Sequence, residues 1–260
     1  MRLNGAVLRS AETLRSELAT LVFTPDRLSV VKGGPAVRRA YFDRTVARLL
    51  PARASTSIDY GTALGQRNAV LRRVASGLSP TDALEPWTAQ VSRLAVDLVA
   101  ARREMMAKLS PGFAAAAAEL GLDAAHLEYD VEAPTEAMLL ARVARDLERG
   151  TTGIGPHLDD VAIRAGLRDL RVFGSQGEQR IAVLALLLAE AELLYDHRTV
   201  APLVLLDDVL SELDASRRRS LARRLSHLPQ AVVTATAAES LPIEPTQLLQ
   251  VTPGHARELT

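Results

Sequence analysis

Two acidic residues close a short apolar run in the last quarter of the chain. Pro202 is followed by four aliphatic residues and then by Asp207 and Asp208. If the run is a buried strand, both carboxylates lie at its carboxyl end, where adjacent side chains point to opposite sides of the pleat. One carboxylate can then face a magnesium ion on a nucleotide while the other is directed at an attacking water. A strand that ends in a capped turn gives the same pattern, so the pair is weak evidence alone.

A second candidate segment lies upstream and reads Gly-Ser-Gln-Gly-Glu-Gln-Arg over residues 174–180. A helix that begins at Ser175 would offer unpaired backbone amides and a positive dipole end to a phosphate. Ser175 adds a hydroxyl donor, and Gly177 allows the backbone to approach closely. Ser175 and Glu178 also form an S-x-x-E capping box, which many ordinary helices have. Both interpretations stay open for this segment.

Two further segments follow the acidic pair. Ser211-Glu212-Leu213-Asp214 begins three residues after Asp208, and Asp214 is also a good N-cap for the next helix. The apolar run from Ala231 onwards ends in small hydroxyl residues, the last of which is Thr236.

The elements that must position these residues alternate between strands and helices. The sequence predicts a buried strand over Ala19–Phe23, a threonine-capped helix start at Thr24-Pro25-Asp26, a buried helix over Ser175–Tyr195, a central strand over Leu203–Leu206 and a helix over Ala215–Leu225. Strand, helix, strand order implies a mostly parallel sheet in an α/β fold.

From about Pro35 to Leu120, apolar residues instead recur at helical steps, and Ser110-Pro111-Gly112 is expected to break the pattern as a turn. We therefore expect a large all-helical lobe over 35–122, a head remnant over 1–34 and the rest of the head over 123–260.

Composition excludes several classes of protein. The formal net charge is zero, so the chain lacks the strong positive field of a dedicated nucleic-acid binder. It has no cysteine, which excludes disulfides, thiolate zinc sites and a cysteine nucleophile. The first ten residues contain no apolar signal core, and no apolar run is long enough to span a bilayer. We expect a soluble cytoplasmic protein.

The motifs together resemble the RecF family of DNA replication and repair proteins, which are ATPases of the ABC and SMC type. The resemblance is carried by residues 173–180 and 205–214, and by shorter matches at 23–28, 66–68 and 155–160. It implies a partial ABC-ATPase-like head with a mostly parallel sheet, plus the helical lobe. It implies that Ser175, Gln176 and Gly177 form the signature motif, that Asp207 and Asp208 form the Walker B motif and that Asp214 belongs to the D-loop.

The resemblance also implies roles, cofactors and partners. Asp208 is expected to be catalytic and Asp207 to bind Mg²⁺, while Ser175, Gln176, Gly177, Asp214 and Thr236 are expected to contact ATP. The family implies weak DNA-dependent ATP hydrolysis, ATP-dependent homodimerisation on single-stranded or gapped DNA, and recombinase loading with the RecO and RecR proteins. It places this work in recombinational repair of DNA damage and in the SOS response.

The chain departs from the family pattern in three places. Glutamine is usual where it has Glu178, arginine where it has Leu158 and threonine where it has Ile181. No glycine precedes Lys32 or Lys108, the only lysines, so the sequence contains no Walker A loop. We therefore expect an N-terminally truncated chain that binds ATP weakly and hydrolyses it negligibly alone.

Two alternatives stay open. One is a truncated, non-hydrolysing module that binds DNA or a protein partner. The other is the ATPase subunit of a transporter. The helical lobe counts against it, and so does Thr236, which stands where transporter ATPases usually have a histidine. Arginines of the helical lobe and of the helix after the D-loop either contact DNA phosphates or form a solvated face that nearby acidic residues balance. These arginines are Arg38, Arg39, Arg72, Arg73, Arg102, Arg103, Arg217, Arg218, Arg219, Arg223 and Arg224.

Overall fold

The structure is a computed structural model that describes residues 2–3, 6–7, 19–197, 202–211, 213–237, 242 and 244–259. Its strands are β1 Arg2–Leu3, β2 Ala6–Val7, β3 Thr20–Phe23, β4 Ala125–Glu128, β5 Ala162–Ala165, β6 Arg168–Asp169, β7 Leu203–Leu206, β8 Ala231–Val233, β9 Leu248–Thr252 and β10 His255–Leu259. Its α-helices are α1 Ser29–Lys32, α2 Pro35–Leu49, α3 Thr56–Ala75, α4 Glu85–Glu119, α5 Glu136–Leu140, α6 Val143–Arg149, α7 Leu170–Phe173, α8 Gln176–His197 and α9 Ala215–Leu225. Short 3-10 helices cover Pro25–Leu28, Pro51–Arg53 and Thr81–Leu84. Asn4-Gly5, a dipeptide typical of hairpin turns, and Glu212 of the predicted D-loop lie outside the described residues.

Strand β7 lies at the centre of a parallel sheet with the strand order β3-β7-β8. Phe23 is the register partner of Leu206 on one side, and Val233 is its partner on the other. Val204 and Leu206 are almost completely buried, as expected for a central strand covered on both faces. The predicted bounds of this strand are confirmed. Because parallel strands end at the same edge, the residues after Phe23, Leu206 and Val233 lie side by side.

Helix α8 is buried around most of its circumference. Every residue from Ile181 to Ala189 is at most 6% exposed, and α8 packs against α4, α2, α1 and β3. A helix that is apolar on all faces must be enclosed by other elements. The predicted buried helix is confirmed, and its N-terminal end at Gln176 carries the candidate signature segment.

One local prediction in the N-terminal half is wrong, and another is confirmed only in part. Helix α4 runs without interruption from Glu85 to Glu119 and contains Pro111, where a turn was expected. A proline inside a helix removes one backbone hydrogen bond, but the neighbouring Leu109 and Phe113 are completely buried, and their packing keeps the helix continuous. The helix start predicted at Thr24-Pro25-Asp26 is present, with Thr24 at the N-cap position of the 3-10 helix, but Thr24 makes no side-chain cap hydrogen bond.

Apolar side chains form two clusters. The main core combines β3, α2, the second half of α4, α8, β7 and α9. The second core comprises Tyr60, Ala63, Val91, Leu94, Ala95, Leu98 and Leu139, with Leu64, Ala133 and Ile154 packed against it. Helix α4 contributes to both, because Val91–Leu98 belong to the second core and Ala101–Ala117 to the main core. The predicted division of the chain into domains at residues 34 and 122 stays a prediction. The helices within residues 35–122 contribute side chains to both cores.

Strands β4, β5 and β6 form a separate antiparallel sheet in that order, in which Leu127 pairs with Ile163. Strands β5 and β6 are short, and β6 is followed directly by α7. Near the C-terminus, β9 and β10 form an antiparallel hairpin whose residues are nearly all exposed. The sheet β4-β5-β6 matters for the candidate site because β6 leads through α7 into α8.

Two buried arginines fix the loop 150–160 through ion pairs with partly exposed carboxylates and a backbone hydrogen bond. Arg102 makes a bidentate pair with Asp43 at 2.8 and 3.0 Å and donates to the Pro156 carbonyl at 2.8 Å. Arg38 binds both carboxylate oxygens of Asp160, at 2.7 and 2.5 Å. Since Arg38 and Arg102 are at most 3% exposed, these two arginines hold the fold together and are not available to contact DNA phosphates.

The imidazole of His157 fixes the same loop from the side of the second core. The phenol of Tyr60 lies 2.7 Å from its Nδ1, and the carbonyl of Thr152 lies 3.0 Å from its Nε2. Burial lowers the pKa of His157 below its usual 6.5, and nearby Arg39 adds to this, while Asp159 and Asp146 oppose it. These two contacts give His157 a structural role in fixing the loop.

Candidate nucleotide-binding site

The two acids and one threonine are connected at the carboxyl edge of the parallel sheet. The amide of Asp207 donates to the Phe23 carbonyl at 3.0 Å, and the amide of Thr234 donates to the Leu206 carbonyl at 2.9 Å. The Thr234 hydroxyl donates to Oδ1 of Asp207 at 2.7 Å and accepts from the amide of Asp208 at 3.0 Å. Thr234 therefore fixes the positions of both acids, although the sequence did not single it out.

Asp208 does not continue the strand. Its φ is +47°, in the left-handed region, which aspartate tolerates better than most residues. The expectation that the two carboxylates point to opposite sides of a continuing pleat is therefore wrong, because the chain turns at Asp208. The hydroxyl of Ser211 donates to the Asp208 carbonyl at 3.1 Å and closes this turn. Both acids are exposed, so both carboxylates are accessible from solvent.

The predicted D-loop is anchored on both sides. Asp214 caps α9 by accepting from the amides of Ser216 and Arg217, each at 2.9 Å. These amide bonds lower the pKa of Asp214, so its carboxylate stays ionised. Arg218 donates from Nε to the carbonyls of Leu210 and Leu213 at 3.0 and 2.8 Å. The capping role predicted for Asp214 is confirmed, and its contact with ATP stays a prediction.

The N-terminal end of α8 is closed by a reciprocal capping box. The amide of Ser175 donates to Oε2 of Glu178 at 2.8 Å, and the amide of Glu178 donates to the Ser175 hydroxyl at 3.2 Å. Arg168, on β6, binds the other carboxylate oxygen of Glu178 at 2.7 Å. Arg168, together with the bonds from Ser175, lowers the pKa of Glu178 to about 2. The carboxylate is thus fully ionised near neutral pH and directly compensated by a guanidinium.

The glycines of this segment differ in their surroundings. A Cβ at Gly174 would collide with the Leu170 carbonyl, so the turn from α7 into α8 requires glycine. A Cβ at Gly177 would meet no atom within 4 Å, so Gly177 faces open space. Ser175, Gln176 and Gly177 are all exposed, whereas Gln179 is buried and donates to the Leu170 carbonyl at 2.7 Å. The exposed side of the helix tip can therefore receive a ligand.

Thr236 lies two residues beyond Thr234 and is exposed. The structure therefore brings Asp207, Asp208 and Thr234 into one cluster, joined by hydrogen bonds. Asp214 lies on the loop that follows, and the Ser175 tip belongs to a different helix. The strand after Ala231 ends in hydroxyl residues, which was the available signal for Thr234, although the family pattern indicates Thr236 instead.

The acidic cluster has the chemistry of a magnesium site. Mg²⁺ takes hard oxygen ligands and is usually held by one or two carboxylates, with water and substrate phosphates completing the shell. Asp207 and Asp208 supply exposed carboxylates, and the Thr234 hydroxyl keeps Asp207 in place. These residues fit the ion; bound there, it would neutralise charge on nucleotide phosphates.

Curated relatives match most of the chain. The DNA replication and repair protein RecF of Heliobacterium modesticaldum is 36% identical over 250 residues, which make up 90% of this chain and 67% of that relative. RecF of Myxococcus xanthus is 38% identical over 257 residues, or 92% of this chain and 67% of that relative. The chain belongs to the RecF family. It spans about two thirds of the length of these RecF relatives.

The fold agrees with this family. A solved structure of the recombination mediator protein RecF with ATP, in the RecFOR pathway, superposes with a TM-score of 0.83 at 24% identity. The superposition covers 100% of this chain and 72% of the chain in that solved structure. No protein-family model matches the chain. Among the described residues, no helix of this RecF-family chain combines the length and apolar character needed to cross a membrane.

Proposed function

We propose that the chain works as a RecF-type DNA replication and repair protein that couples ATP to binding of single-stranded or gapped DNA. The observation that carries the proposal is the cluster of Asp207, Asp208 and Thr234 at the carboxyl edge of the parallel sheet. Open parallel sheets bind ligands at this edge. The cluster presents two exposed carboxylates to solvent, which are the ligands that Mg²⁺ takes together with nucleotide phosphates.

Each residue of the cluster has a distinct proposed role. Asp207, whose Oδ1 is already oriented by the Thr234 hydroxyl, is the residue that would hold Mg²⁺. Asp208 leaves the strand through its left-handed backbone, so its carboxylate is free of the sheet and can orient an attacking water. Thr234 keeps the two acids in a fixed relation. Thr236, Asp214 and the Ser175–Gly177 tip are proposed contacts of the nucleotide.

The two halves of the site are proposed to come from different molecules. The signature tip at Ser175 and the acidic cluster lie on separate elements, and the tip is exposed. In an ATP-dependent homodimer, the tip of one copy would face the terminal phosphate held by the other. A helix N-terminus with a hydroxyl donor suits that phosphate. ATP binding would then control dimerisation on DNA.

DNA contacts are proposed for arginines that the fold does not use internally. On α9, Arg217 and Arg218 donate to backbone carbonyls, and Arg224 pairs with Glu119 and Glu192. Arg219 and Arg223, one helical turn apart on the same helix, are exposed and suited to phosphates. Recombinase loading with RecO and RecR at sites of DNA damage, and a part in the SOS response, complete the proposal.

A second candidate function is a non-hydrolysing module that binds DNA or a partner. The observation that favours it is the lack of a glycine-rich loop ending in lysine and serine or threonine anywhere in the sequence. Without that loop, the chain has no group to cradle the nucleotide's own phosphates. This candidate keeps the arginine contacts but predicts no turnover by the chain alone.

One experiment separates the two candidates. The purified chain is titrated with labelled single-stranded and gapped DNA, with and without Mg-ATP, and phosphate release is measured in parallel. The ATPase proposal expects tighter DNA binding with Mg-ATP, and it expects this gain to be lost in an Asp207→Asn/Asp208→Asn variant. Asp82→Asn, an exposed aspartate in the helical part, is the matched control. DNA binding that is identical with and without ATP, together with no phosphate release, supports the non-hydrolysing module.

A further inference from the structure

The tip of α8 carries an unusual charge arrangement for a phosphate contact. Glu178 places a carboxylate in the first turn of the helix, where a bound phosphate would also place negative charge. Its Oε2 accepts from the amide of Ser175, so the carboxylate already occupies one amide of the helix end. An uncompensated carboxylate at this position would repel an incoming phosphate.

Arg168 compensates that carboxylate from a different element. Its Nη2 lies 2.7 Å from Oε1 of Glu178, and its Nη1 lies 3.5 Å from the carbonyl of Phe173, immediately before the glycine turn. One side chain thus links β6, the end of α7 and the start of α8. The Arg168 side chain is 51% exposed and that of Glu178 25%, so the guanidinium faces the same solvent as the helix tip.

The serine remains able to donate. Its hydroxyl oxygen accepts from the amide of Glu178 at 3.2 Å, which uses a lone pair and leaves the hydroxyl proton for an acceptor such as phosphate. The same bond fixes the position of the hydroxyl relative to the first turn. Glu178 therefore orients Ser175, and Arg168 removes the electrostatic penalty of having Glu178 there.

We propose that Arg168 is a positioning residue for the signature tip: by pairing with Glu178, it allows a capped helix end with an acidic residue to accept the terminal phosphate of ATP. The inference rests on the proposed function, because it assigns a role toward the phosphate of that site. Arg168 acts through Glu178 and Ser175. Its effect must therefore disappear when the charge of Glu178 is removed.

A double-mutant cycle tests this coupling. The chain and its Arg168→Gln, Glu178→Gln and doubly substituted variants are titrated with Mg-ATP, and the amide signals of Ser175 and Gln176 are followed by NMR. Arg168→Gln should weaken ATP binding about fivefold, as expected for an unbalanced charge near a helix N-terminus. The double variant should return to within about twofold of the parent.

Arg171→Gln is the matched control. Arg171 is an exposed arginine on α7, and its replacement removes the same charge from the same region without touching Glu178. It should leave ATP affinity unchanged. Equal weakening by Arg171→Gln, or a double variant as weak as Arg168→Gln, overturns the proposal because the effect would then be general or merely structural.

A second readout does not depend on nucleotide. The carboxyl carbon of Glu178 is titrated by NMR: its pKa of about 2 should rise toward the usual value in Arg168→Gln and stay low in Arg171→Gln. If the parent chain shows no response to Mg-ATP while this pKa still rises, the proposed nucleotide site fails, and the role of Arg168 toward phosphate fails with it. If the parent responds to ATP and Arg168→Gln responds equally, only the inference about Arg168 is wrong.

Discussion

Replacing Arg67 by methionine should destabilise the chain by about 3–5 kcal/mol, the usual cost of removing one partner of a buried ion pair. Arg67 is completely buried, and Asp146 is only 1% exposed as a side chain. The guanidinium donates to Asp146 at 2.9 Å, to Thr152 at 2.6 Å and to Thr88 at 3.1 Å. The pair thus ties α3, α4, α6 and the loop after α6 together.

The magnitude follows from what Arg67→Met leaves behind. Asp146 would keep the amide of Gly153 at 3.1 Å but lose its counter-ion in a site closed to water. The hydroxyls of Thr88 and Thr152 would lose a partner as well. Removing the second charge in Arg67→Met/Asp146→Asn should recover much of the loss, since a buried pair replaced by neutral groups is often tolerated. We expect a coupling free energy of about 2–3 kcal/mol from this cycle.

Urea unfolding followed by far-UV circular dichroism measures these free energies. The fluorescence of Trp87, the only tryptophan, reports on the same region because it precedes Thr88 in α4. Arg93→Met is the control: its pair with Asp97 is exposed and 3.8 Å long, so the change should be below about 0.5 kcal/mol. A loss below about 1 kcal/mol for Arg67→Met, or no recovery in the double variant, would refute the reasoning.

Three further predictions concern single residues. Because burial lowers the pKa of His157, the unfolded chain takes up a proton at this residue more readily than the folded chain does. The contribution of His157 to stability should therefore be complete above about pH 6.5 and decrease as the pH falls below that value. The urea unfolding midpoint should decrease over this pH range, and His157→Gln should make it less dependent on pH. Thr234→Val removes two hydrogen bonds, so it should lower stability by about 1 kcal/mol and abolish any effect of Mg-ATP on DNA binding. Thr234→Ser keeps the hydroxyl, so it should retain the stability and the effect of Mg-ATP. Pro111→Ala should raise stability by about 2 kcal/mol, because the gain of about 3 kcal/mol in helix propensity exceeds the loss of about 1 kcal/mol from the greater entropy of the unfolded chain. An unchanged thermal midpoint would contradict this.

Local sequence signals predicted the elements that position the acidic cluster. Leu203–Leu206 is an unbroken aliphatic run, and Asp214 caps the helix that begins at Ala215, so both bounds were predictable. The capping box of Ser175 and Glu178 was also visible as a three-residue spacing. Such features depend on residues a few positions apart, which the sequence displays directly.

Contacts between distant residues could not be predicted in the same way. Thr234 reaches Asp207 across 27 positions, and Arg168 reaches Glu178 on α8 from strand β6. Pro111 was assigned to a turn because local rules do not include the burial of Phe113 against the main core. The left-handed backbone of Asp208 follows from how the chain leaves the sheet, and aspartate is only one of the residues that tolerate it.

The unbroken course of α4 has a mechanical consequence. Helices resist bending, and this one carries side chains of the second core near its start and of the main core along the rest of its length. The two cores, which α4 joins, therefore cannot move relative to each other as two domains joined by a flexible linker would. A displacement of the N-terminal end of α4 would therefore be carried along the helix to its packing against α8, whose own N-terminal end carries the Ser175 segment.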